Sequence, residues 1–305
     1  MALVIAAGVD GRVGTRRTEV MASFTLIRLA GIAATGALMA AFDVTEYVSL
    51  VLCVALGHYF LALVYSRKQI VKNVSDDHRR YWLLSLLVVT GVVCYYRQPA
   101  ILFVFGLHHI LSETYMTNRG RDGLDAEQTG TLNSSRLLLS AFVYLAILRN
   151  SVPLPNLVIA GGLALSVAFF ALMIFRHRGV LDGEWLRGCL SFEAAGLLVV
   201  GLSIPFDIGF IDIVLYHFLL WIVLPTFGLA QGGVRALSRY AVLTASVTGA
   251  FFLLSPAAGF DFSFSVPESM GQIELWGYVH IFLSLAVSSL NPEWVNRLAW
   301  KQVPA

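Results

Sequence analysis

The chain has 305 residues, 57% of them hydrophobic and only 13% charged, with a mean hydropathy of +0.74 and a net charge of +2. Soluble domains carry about 25% charged residues, so an ordinary water-soluble fold is excluded. The small net charge, with no Gly-rich phosphate loop and no basic-aromatic patch, gives no support for a nucleic-acid partner. What remains is an all-α, polytopic membrane bundle, because a spanning helix satisfies every backbone group within its own segment.

Residues 1–22 read as a cytoplasmic tail. The apolar start precedes Arg12, Arg16 and Arg17, the reverse of a signal peptide's order, and Met21 is an alternative start. Ten apolar segments follow, at about 23–42, 47–66, 81–96, 100–116, 133–148, 157–175, 185–204, 209–230, 240–258 and 271–290. Together they predict one transmembrane domain over 23–292, with 293–305 as a second tail. Basic residues fall in alternate connections. Nineteen of the 21 lie on one side, Arg28 and Arg136 counted among them, and only Arg97 and Arg149 lie on the other. The positive-inside rule then places both termini in the cytoplasm.

The connection over 117–132 carries Gly120, Gly123 and Gly130 and reads first as a solvated loop, with a cap over the site as the alternative. Most prolines mark segment ends; Pro225 lies inside the eighth segment and predicts a kink there. Cys53, Cys94 and Cys189 show no paired spacing and read as small membrane-core residues.

The chemistry concentrates on Leu107-His108-His109-Ile110-Leu111-Ser112-Glu113, in the fourth segment. Ionisable groups at mid-membrane depth cost about 2.5–3.5 kcal/mol or more when charged. His109 and Glu113, four apart, share a helix face, and His108 points roughly 100° away. His58, His217 and His280 occupy segments two, eight and ten at comparable depth, about eight to eleven residues from the outer end. The other two histidines, His78 and His177, fall in basic connections.

Five imidazoles at one level predict a metal site, with His58, His108, His109, His217 and His280 as candidate ligands. Glu113 and Glu193 are the candidate catalytic or supporting carboxylates, and Tyr59, Tyr115, Tyr216 and Tyr278 line the pocket. Imidazole with carboxylate suits iron, zinc, copper or manganese. An apolar surround fits a lipid-like substrate and dioxygen, which favours non-haem iron with open coordination positions.

The pieces Leu56-Gly57-His58, Leu107-His108-His109, Tyr216-His217 and Val279-His280 resemble, in order and separation, the bacterial Brp/Blh family of membrane carotene-cleaving dioxygenases. That family tends to carry an acidic residue after its first and second histidines; Glu113 matches the second, while Tyr59-Phe60-Leu61-Ala62 follow His58. The resemblance implies an iron oxygenase in a bacterial-type plasma membrane, acting on an isoprenoid- or carotenoid-like chain. Three other classes use the same features: a haem-binding electron-transfer protein with two axial histidines, a metal or proton transporter, and a subunit of a larger complex, whose protein partners the sequence does not name.

Overall fold

The computed structural model describes residues 17–75, 88, 89, 92, 100–116, 126–181, 183–230, 233–253 and 277–281. All regular structure among them is helical: α1 (Arg17–Ala41), α2 (Val44–Ser75), α3 (Ala100–Met116), α4 (Ala126–Ile147), α5 (Asn156–His177), α6 (Gly183–Leu202), α7 (Phe210–Ala230) and α8 (Val234–Leu253). A short helical stretch at 277–281 carries His280.

Five of these helices contain runs long and apolar enough to cross a membrane, at Phe24–Ala41, Glu46–Val64, Asn156–His177, Trp185–Leu202 and Val234–Leu253. The chain is therefore a multi-pass helical membrane protein. The segment expected at 81–96 lies outside the described residues apart from 88, 89 and 92, and the last segment is described only at 277–281. Both terminal tails, Cys94 and His78 lie outside them too.

Several helices outrun their apolar segments. α2 continues through Arg67, Lys68 and Lys72 to Ser75, and α4 begins at Ala126, inside the stretch expected as a loop. Ala126, Glu127 and Gln128 are good helix formers, and an acidic residue in a first turn complements the helix dipole. α7 runs unbroken through Pro225 to Ala230. Pro225 has no N–H to offer the carbonyl of Trp221, yet the helix holds on both sides of it.

The described residues fall into two compact units, and the chain passes from one to the other within α1, α3 and α7. Residues within Ala37–His108 and His217–Ala305 form the first; those within Arg12–Gly36 and His109–Tyr216 form the second. In the first, α2 packs along α8. In the second, α4 packs along α5 and against α6. Cys53 in the first and Cys189 in the second are buried, as small core residues should be.

Candidate metal centre

In the first unit, α2, α3, α7 and the stretch at 277–281 each present one imidazole. His58, His108, His217 and His280 are all buried, His58 at 2% exposure and His217 at 0%. Nε2 of His58 lies 3.2 Å from Nε2 of His280. The ligand atoms of His58, His217 and His280 all lie within 4.8 Å of one another. His108 stands beside them, its ring centroid 5.1 Å from that of His217 and 5.6 Å from that of His280.

The shortest of these spacings suits two ligands of one ion. Two ligands at ~2.1 Å from a metal lie about 3.0 Å apart at a right angle and about 3.4 Å apart in a tetrahedron. The His58–His280 separation falls between those values. Without a metal, the same pair makes one hydrogen bond, one ring nitrogen donating and the other accepting according to tautomer.

The walls are aromatic. Phe218 stacks at 5.0 Å from His58, Tyr59 at 5.0 Å from His280, Phe105 at 5.2 Å from His217, and Trp221 at 6.1 Å from His217. Such a lining restricts water and holds the rings in fixed orientations. Tyr278, two residues before His280, is fully buried, whereas the Tyr115 side chain lies outside the described residues. No protein-family model, curated protein or solved structure matches this chain. The geometry alone therefore carries the chemistry of the site.

Glu113, Glu193 and His109 are placed in the second unit, in a different setting. Glu113 Oε2 lies 3.2 Å from Arg28 Nη2, and Oε1 accepts a hydrogen bond from the Tyr216 hydroxyl at 2.6 Å. His109 Nε2 stands 3.6 Å from Glu113 Oε2, with its ring between those of Tyr144 and Tyr216 at centroid distances of 6.4 and 5.8 Å. Glu193 pairs with Arg136, whose Nε and Nη2 reach Oε1 at 2.8 and 2.7 Å. Arg136 also donates through Nη1 to the Thr114 carbonyl. Arg28 donates through Nη1 to the Phe192 carbonyl at 2.6 Å, and its guanidinium stacks 4.0 Å from the Phe192 ring centroid.

Gly196, one turn after Phe192, permits that approach; a Cβ there would sit 3.0 Å from Arg28 Nη2. Arg28 and Arg136, which the sequence counts with the cytoplasmic-side bases, are buried at 6% and 0% exposure, each on a carboxylate. The signal for them was an arginine within an otherwise apolar helical stretch, in a chain holding intramembrane glutamates in need of counter-charge. His177 departs from its expected connection. It is buried in the last turn of α5, with Nε2 3.4 Å from Thr131 Oγ1.

Proposed function

We propose that this chain is a membrane metalloenzyme in which His58, His217 and His280 hold one metal ion, with His108 as a fourth ligand. The supporting observation is the convergence of three imidazole nitrogens within 4.8 Å in a buried aromatic pocket. The all-imidazole donor set and apolar walls favour non-haem iron, with zinc, copper and manganese as competitors. Bound iron with open coordination positions would supply redox chemistry with dioxygen. The protein's own part is to orient four neutral rings, exclude water with Phe105, Phe218 and Trp221, and admit an apolar, isoprenoid-like substrate from the bilayer.

Haem suits this geometry less well. Haem would need only two histidines, whereas three imidazoles bring their ligand atoms together here. The carboxylates belong to this reading as structural charges. Glu113 and Glu193 are each paired with an arginine, and His109 stands with Glu113.

Ten spans with both termini in the cytoplasm of a bacterial-type plasma membrane complete the proposal. The alternation of basic residues, 19 of the 21 on one side, supports it. Reporter fusions at Ser75 and Asp261 should read cytoplasmic and exported, respectively; inversion at either overturns the topology. Elemental analysis of the detergent-purified protein tests the centre itself. One iron per chain, with no Soret band, is the expected result. A metal-free protein that takes up no first-row divalent ion refutes it.

A further inference from the structure

Metal ligands differ in whether they bring charge. A thiolate or carboxylate neutralises part of the ion it holds, whereas imidazole binds as the neutral ring and neutralises none. The group formed by His58, His217 and His280 includes no Asp, Glu or Cys among the described residues. His108, beside it, is a fourth imidazole. Cys53 is buried on the same helix as His58 and yet stays outside the group.

The first unit supplies no counter-charge at this level. Its described residues hold two acidic side chains, Asp43 and Glu46, both exposed and both at the outset of α2. Glu46 precedes His58 by twelve residues, about 18 Å along the helix axis. Neither the described part of 217–253 nor 277–281 contains an acidic residue. The walls, Tyr59, Phe105, Phe218 and Trp221, are aromatic and add no formal charge. In the second unit Glu113 and Glu193 are each taken up by an arginine. A dication held by four imidazoles would therefore keep both of its charges in a buried, apolar setting. The idealised cost of burying an ion grows with the square of its charge, so one accompanying anion removes about three quarters of it.

We infer that the centre takes a divalent ion together with a monoanionic ligand from outside the chain. Imidazole nitrogens from three or four side chains leave positions open on a six-coordinate ion such as iron, and the anion binds there. A small anion from water and a carboxylate on a hydrocarbon chain share this chemistry. A monovalent ion carries half the charge and has no such need. The inference rests on the proposed reading of the histidines as metal ligands, and it adds that what binds beside the ion is negatively charged.

The test measures the cobalt(II) affinity of the full chain in neutral detergent and perchlorate buffer at fixed pH, with and without azide. Metal and anion should be reciprocally linked: azide should raise cobalt(II) affinity at least about tenfold and shift the visible absorption of the bound ion. Copper(I) affinity should not respond to azide. Acetate and dodecanoate distinguish the sources, since either one replacing azide upholds the inference and a lower working concentration for dodecanoate points to an anion carried on a chain. His108→Glu, which builds a carboxylate into the site, should bind cobalt(II) tightly without any added anion. Cobalt(II) binding that no anion alters overturns the inference and leaves the metal site standing. Failure to take up cobalt(II) or copper(I) under every condition overturns both. The wild-type titration decides by itself if the variant fails to fold.

Discussion

The two units solve the same problem, polar groups inside an apolar bundle, in opposite ways. In the second, every charge named above has its opposite within about one hydrogen bond: Arg28 on Glu113, Arg136 on Glu193, with Tyr216 and two backbone carbonyls taking up remaining valences. Each of these charges is held by its opposite. In the first, imidazole faces imidazole across 3.2 Å. The paired charges mark structure, and the converging imidazoles are what the proposed metal site rests on.

The largest effects should fall on these paired charges. Arg136→Met leaves Glu193 buried without its cation and should destabilise the protein by about 3–5 kcal/mol; replacing both partners by apolar residues should recover most of that. Denaturant unfolding of the two variants decides, and equal stability for single and double would erase the contrast between the units. Metal content comes next. His217→Ala should lower metal affinity by more than the roughly 10–100-fold typical of losing a supporting residue. Glu113→Gln should keep full metal occupancy while losing stability. A metal deficit in Glu113→Gln would show instead that this carboxylate supports the metal site.

Tyr216→Phe should cost about 1.5–3 kcal/mol, as for a hydrogen bond to a charged group, again without metal loss. Gly196→Ala is the mildest change. Its new methyl meets only the end of the Arg28 side chain at 3.0 Å, so a cost of about 1 kcal/mol, the low end for added bulk in a packed site, is expected in the same unfolding measurement.

Hydropathy read the helices well where hydrocarbon contact and helix coincide. α3 matches its apolar run of 100–116 at both ends. It read them short where a helix continues through polar residues, as at Arg67–Ser75 in α2, because side-chain polarity does not report backbone hydrogen bonding. The depth argument brought His58, His217 and His280 to one level, and the described structure sets them together. It did not separate His108 from His109, although their directions differ by about 100° on a helix, and the structure assigns the two rings to different units. The burial of Arg28 and Arg136 was not legible, because an arginine near an apolar run reads as a topological marker until its carboxylate is seen beside it.

The buried arginines also impose an order on biogenesis. Arg28 precedes Glu113 by 85 residues, and Arg136 precedes Glu193 by 57. Synthesis runs from the N-terminus, so each guanidinium reaches the membrane before the glutamate that will hold it exists. Until α3 arrives, Arg28 lacks its carboxylate, and a charge within an apolar helix is costly, though less so near the start of the apolar run than at its centre. Stable lodging of α1 in the bilayer should therefore improve once α3 arrives, and a nascent chain cut short before Glu113 should hold α1 less firmly.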